Sequence, residues 1–269
     1  MSKLIPLASA MLVALSALPA SALPYTSASR GSYYSNPAES IYQQNPFYRA
    51  YANTMRVRSI QSPRVWTVSF STNLASLDGF DPALDRDRSY YGVDSVDVFL
   101  VEGQGYWTSS GPALAPELGW YPTSLVADWE FGNNGGKTSV FAAYADELMN
   151  RNHPNWLNPW RYPLSGGLPI ALGIEYTNWS WSSGQGGYYY ATYLTHSWPV
   201  KKAWLDGLKK GSTYIDSPVA VGSGINSTDC RNRLAKKTVS PYINNDVRWP
   251  WPRLTGTDNI MCAAWVRGR

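Results

Sequence analysis

The stretch VDVFLVEGQGYW, residues 96–107, decides the fold class. Val96 to Val101 is apolar apart from Asp97 and lacks strict apolar–polar alternation, so it reads as a strand buried on both faces. It stops abruptly at Gly103-Gln104-Gly105, where glycines break the run. In open α/β sheets the crevice beyond the carboxyl ends of the strands is where ligands bind. Here a glutamine stands where a reactive group would be expected.

Further strands and helices follow on either side. RVWTVSFST (64–72) alternates, with Trp66, Val68 and Phe70 on one face, which is the pattern of a half-buried strand. KTSVFAAYADELMN (137–150) reads as a strand over Thr138 to Ala143 that runs directly into a helix. GLPIALGIEY (167–176), SPVAVGSG (217–224) and NIMCAAWV (259–266) read as further strands. YYYATYLTH (188–196), SWPVKKAWLDGLKKG (197–211) and STDCRNRLAKK (227–237) read as helices. In the second of these, Ser197 is expected as the cap, Pro199 in the first turn and Gly211 as the stop. Val200, Ala203, Trp204 and Leu208 share one helical face. Residues 108–136 are punctuated by Pro and Gly and read as one long loop, a feature that is usually functional or mobile. Strands thus alternate with helices, and few alternate cleanly in polarity. The expectation is an α/β three-layer sandwich, with a mostly parallel sheet and helices on both faces.

The organisation expected along the chain is a signal peptide over 1–22, an N-terminal arm with a short helix over 23–60, and a single α/β domain over 61–269 that includes the C-terminal tail. Lys3, the apolar run Leu4 to Leu18 and the small residues Ala20-Ser21-Ala22 carry the signal-peptide reading. The apolar run is shorter than the ~20 residues needed to span a bilayer. The protein is therefore expected outside the cell, with no membrane segment after cleavage. The 23–38 segment, rich in Ser, Tyr and Pro, reads as a loose arm. A short helix is expected within Glu39 to Val57, interrupted at Pro46.

A net charge of +4 with only 16% charged residues leaves no nucleic-acid footprint. The 13 Trp and 19 Tyr against 6 Phe are amphipathic rings that suit either a carbohydrate or polymer surface or Tyr- and Trp-rich loops over a core. Cys230 and Cys262 are the only cysteines, and in an oxidising compartment such a pair is expected to form one disulfide. Asn178-Trp179-Ser180 and Asn226-Ser227-Thr228 are N-glycosylation sequons. The acids Asp78, Asp81, Asp85 and Asp87 lack the alternate spacing of a calcium loop and read as a solvated loop. His153 and His196 have no partner at metal-ligand spacing. Neither a metal nor a cofactor is expected.

Two strand ends stand out: Gly103-Gln104-Gly105 after VDVFLVE, and Tyr144-Ala145-Asp146 after SVFAA. Their order and spacing over roughly Tyr91 to Lys237 resemble the caspase- and gingipain-like cysteine peptidases and their secreted relatives. The resemblance implies a histidine at the first strand end and a nucleophilic cysteine at the second. This sequence has Gln104 and Tyr144 there. Glutamine cannot accept a thiol proton, and a phenol with a pKa of ~10 is a poor nucleophile at pH 7. The expectation is a non-catalytic, pseudopeptidase-like domain. Its cleft would be lined by Gly103, Gln104, Gly105, Trp107, Tyr144 and Asp146 and would take a peptide, protein or carbohydrate ligand. A plain tight turn at Gly103–Gly105 is the alternative. Glu102, Asp128, Glu130, Asp146 and Glu147 lie near the same strand ends. With Trp107, Trp120 and Trp129 they raise a second possibility, a carboxylate-dependent hydrolase acting on carbohydrate. A wall- or matrix-associated structural protein is a third.

Overall fold

The structure is a computed structural model. It describes residues 25–31, 46–62, 66–72, 93, 96–115, 124–129, 131, 138–175, 183–211, 217–239 and 259–266. The expected signal segment, the aspartate loop at residues 78–87, Trp120, Glu130, Asn178 and the Gln104 side chain lie outside the described residues.

The frame is a mixed α/β arrangement around a seven-stranded sheet. In chain order its strands are β1 (Tyr25–Gly31), β2 (Trp66–Thr72), β3 (Val98–Glu102), β7 (Val140–Tyr144), β8 (Ile170–Ile174), β9 (Pro218–Gly224) and β10 (Ile260–Trp265). A separate three-stranded antiparallel sheet holds β4 (Gln104–Thr108), β5 (Gly111–Ala115) and β6 (Ser124–Leu125). The spatial order of the large sheet is β10-β9-β8-β7-β3-β1-β2. From β2 through β8 every neighbouring pair is parallel, whereas β9 and β10 add on antiparallel. Strands β3, β7 and β8 are buried on both faces, as their unbroken apolar runs require.

Side-chain alternation divides the core into two layers. Val98 and Leu100 of β3, Val140 and Ala142 of β7, and Ile170 and Leu172 of β8 face one layer. There they meet α1 (Pro46–Gln61), α3 (Ser183–Thr195), α4 (Val200–Gly211) and α5 (Ser227–Lys236). Phe99, Val101, Phe141, Ala143 and Ala171 face the other, against Leu114 of β5, Val126, Trp129, Trp160 and Leu164. Among the described residues this second face is covered by the six-residue α2 (Arg161–Gly166), the 3-10 turns at Val126–Asp128 and Asn158–Trp160, and the small sheet. Helices occur on both faces, as expected, but among the described residues the longer ones all lie on one.

The helical layer depends on close backbone approach. A Cβ on Gly187 of α3 would lie 2.1 Å from the Phe47 carbonyl oxygen of α1. Trp204 of α4 fills the centre of the layer, and its indole N–H donates to the Gly173 carbonyl of β8 at 3.0 Å.

Five expectations need correction. The residues expected as a loose arm include β1, which lies inside the sheet between β2 and β3. The α/β unit therefore begins before residue 61. Pro46 starts α1 instead of interrupting it, because proline suits a first helical turn where its missing N–H costs nothing. The loop expected at 108–136 contains β5 and β6, and β5 pairs with β4 across a tight turn at 108–111 where the Thr108 hydroxyl donates to the Gly111 carbonyl. No helix follows β7: residues 146–149 form turns, with Glu147 at φ 58°. Ser197 likewise stands at φ 60° and does not cap α4. That helix starts where the Val200 N–H donates to the Lys237 carbonyl.

Cys230 of α5 and Cys262 of β10 form the expected disulfide across a sequence separation of 32. Closing a loop of that length stabilises by ~3–4 kcal/mol on the chain-entropy estimate. The double substitution Cys230→Ala/Cys262→Ala is expected to lower urea-unfolding stability by about that amount. Gly187→Ala must force α1 and α3 apart. Its expected cost is about 1–3 kcal/mol, read as a drop in thermal midpoint with the secondary structure retained.

Candidate functional site

The two strand ends singled out by sequence are neighbours. β3 and β7 pair in parallel with Glu102 opposite Tyr144, and the Gly103 N–H donates to the Tyr144 carbonyl at 3.3 Å. Beyond that point the side chains part.

Glu102 and Tyr144 turn into the helical layer, where Glu102 is 0% and Tyr144 2% exposed. The first turn of α1 closes over both. The Phe47 ring stacks on the Tyr144 ring at 4.2 Å between centroids and 13° between planes. The Tyr48 N–H donates to Glu102 Oε2 at 2.7 Å. The first turn of α1 contains no acidic residue of its own. A carboxyl group from β3 thus accepts at the first turn of α1, where helix N–H groups and the macrodipole favour negative charge. Burial works against that charge. Among the described residues, Glu102 Oε1 has no hydrogen-bond partner. Desolvation pushes the Glu102 carboxyl up to about 8, only partly offset by the backbone N–H groups of Tyr48 and Phe47.

The other strand-end residues gather on the β4 side. A Cβ at Gly105 would lie 1.9 Å from the Asp146 carbonyl oxygen, so β4 lies directly on the turn that follows β7, and only glycine permits it. The Trp107 indole N–H donates to the Glu147 carbonyl at 2.7 Å, and its ring stacks on the His153 ring at 4.1 Å and 7°. Asp146 Oδ1 accepts from the Glu147 N–H at 3.1 Å. Gln104 enters through its backbone, paired with Ala115. The expected lining is therefore divided: Gly103, Gly105, Trp107 and Asp146 surround the turn after β7, while the Tyr144 side chain is committed to the core.

In the sequence His153 has neither a nearby cysteine nor a histidine partner at metal-ligand spacing. Its stacking on Trp107 is a long-range contact with no sequence signal. His196 closes the end of α3, its Nδ1 lying 2.6 Å from the Thr192 carbonyl. Among the described residues no cluster of His, Cys, Asp and Glu has the make-up of a metal site. With both cysteines in the disulfide, no free thiol is present. Asn226 accepts from the Asp229 N–H and caps α5. Among the described residues no helix is long and apolar enough to cross a membrane.

Residues 29–249 match the family model for DUF6345, a domain of unknown function. The chain belongs to the DUF6345 family. Within that span lie the β3 and β7 tips, α1 and Cys230; β10, with Cys262, lies beyond it. A search of the curated proteins finds no match.

The raised Glu102 pKa gives a signed prediction. An unfolded chain loses this proton near 4.5 and the folded chain near 8, so between those values the folded state holds the extra proton. Its contribution to stability is therefore greatest at low pH, falls as pH rises from about 4.5 to about 8, and levels off above. Glu102→Gln removes the slope while keeping an acceptor for Tyr48. In urea unfolding at pH 5 and pH 8, the variant is expected to gain on the wild type at the higher pH, by at most ~1.4 kcal/mol per unit. Glu102→Ala, which leaves the buried Tyr48 N–H without this acceptor, is expected to lose about 1–3 kcal/mol.

Proposed function

We propose that this protein is an exported, non-catalytic domain with a caspase/gingipain-like layout, whose strand tips serve stability and ligand contact and perform no peptide hydrolysis. The observation that carries this reading is the closure of the β3 and β7 tips by α1. Phe47 stacks on Tyr144, and the Tyr48 N–H holds Glu102. A peptidase of that layout needs a thiol and an imidazole exposed at those two tips. The β7 tip here carries a buried phenol, and both cysteines are consumed by the disulfide. The parallel pairing of β3 with β7 supports the layout, although a fold alone does not specify a function. Export rests on the leader-like residues 1–22. A peptide, protein or carbohydrate ligand would meet the half-buried Trp107–His153 pair and Asp146, the part of the strand-end region that stays open to solvent.

The carbohydrate-hydrolase reading is weaker. It needs two carboxylates facing one cleft, and Glu102 is fully buried and engaged with α1.

The test is incubation of the mature protein with a diverse peptide library, read by mass spectrometry, alongside thiol- and hydroxyl-directed activity probes. No cleavage and no labelling are expected. Cleavage that disappears in Tyr144→Phe, which keeps the ring stack and removes the hydroxyl, would overturn the proposal.

A further inference from the structure

A second surface, on different elements, has the make-up of a binding platform. α3 carries no charged side chain in its sequence SGQGGYYYATYLT, yet only Tyr190 of its tyrosines is fully buried. The others form a chain of rings on the outside of the helical layer. Tyr188, 49% exposed, packs edge-on with Tyr189 at 5.3 Å. Tyr189 stacks with Tyr193 at 6.0 Å, and Tyr193 lies face to face with Trp198 at 4.2 Å and 6°. The chain thus runs from the first half of α3 to the connection that enters α4.

α4 supplies the charge. Its sequence VKKAWLDGLKKG holds four lysines against one aspartate. Lys202, Asp206, Lys209 and Lys210 fall at positions that share one side of the helix. The acid pairs with Lys202, so the excess charge on this side is positive. Two of the ammonium groups sit on the rings: Lys210 Nζ is 4.4 Å from the Tyr189 centroid and 5.9 Å from that of Tyr193. Lys202 Nζ is 4.8 Å from the Trp198 centroid. A cation held over an aromatic face has given up part of its rotamer freedom before any partner arrives. The rings present amphipathic bodies and hydroxyl tips at the solvent boundary. Fixed cations beside such rings complement a polymer that alternates acidic groups with flat C–H faces and hydroxyls.

We propose that the Tyr188–Tyr189–Tyr193–Trp198 chain, with Lys202, Lys209 and Lys210, binds an acidic polysaccharide. The sugar stacks at the exposed Tyr188 end, and the carboxylate or sulfate groups pair with Lys209 and Lys210. Nothing in this binding requires the strand tips or any catalytic step.

Affinity electrophoresis of the full mature protein tests it, with polygalacturonate, dextran sulfate or neutral dextran cast in the gel. The protein is expected to be retarded by both acidic polymers and not by dextran. Lys209→Gln/Lys210→Gln is expected to weaken apparent affinity for both by about tenfold, at an unchanged thermal midpoint, as fits the loss of two exposed carboxylate or sulfate contacts. Tyr188→Ala is expected to weaken polygalacturonate binding with no change of charge. Arg231→Gln removes one positive charge from the exposed side of α5 and is expected to leave retardation unchanged. No retardation by either acidic polymer, an equal loss in Arg231→Gln, or tighter retention by single-stranded DNA than by either polysaccharide would each overturn the proposal.

Discussion

A carboxyl group removed from water must find hydrogen-bond donors, and Glu102 finds its donors at the start of a helix. The arrangement fixes two things together. It gives the start of α1 an acceptor, because the first turn of that helix holds no acid of its own. It also sets what lies over the carboxyl ends of β3 and β7, because the turn that brings Tyr48 to Glu102 brings Phe47 onto Tyr144. From there α1 continues through Tyr51 and Met55 into the helical core. The Gly187 site admits the α1 backbone. The Glu102 contact at its first turn and the Tyr51 hydroxyl bonded to the Ser27 hydroxyl of β1 at 3.0 Å thus orient a helix that otherwise packs through apolar side chains.

That coupling bears on how the strand tips can be used. An α/β sheet offers its parallel strand ends as a binding crevice, and in this protein the part of the crevice over β3 and β7 is filled from within. What remains accessible is the β4 side, where glycine at position 105 lets a small antiparallel sheet sit on the turn after β7. Trp107 and His153 share a stacked pair there. The same residue types that read as a cleft lining in sequence are therefore divided between a packed interior and a half-open rim.

The buried strands were legible because a strand covered on both faces must be apolar throughout, and Val98–Glu102, Val140–Tyr144 and Ile170–Ile174 satisfy that. The amphipathic pattern of α4 and the cysteine pair were legible for similarly local reasons. β1 was not, because Tyr25–Gly31 is polar by composition and is held by partners on both sides, information that lies in other segments. The turn after β7 read as a helix start because Asp146 and Glu147 are good first-turn residues. The indole N–H of Trp107, 40 positions earlier, engages the Glu147 carbonyl instead. The burial of Tyr144 under Phe47 is likewise a long-range outcome that spacing along the chain does not encode.

The bond between Cys230 and Cys262 joins α5 to a terminal strand that lies outside the family-matched span. A protease that cuts anywhere between those two residues leaves β10 tethered as well as hydrogen-bonded to β9. The clipped molecule would keep its mass and outline under oxidising conditions and come apart into two pieces only once denatured in a reducing agent.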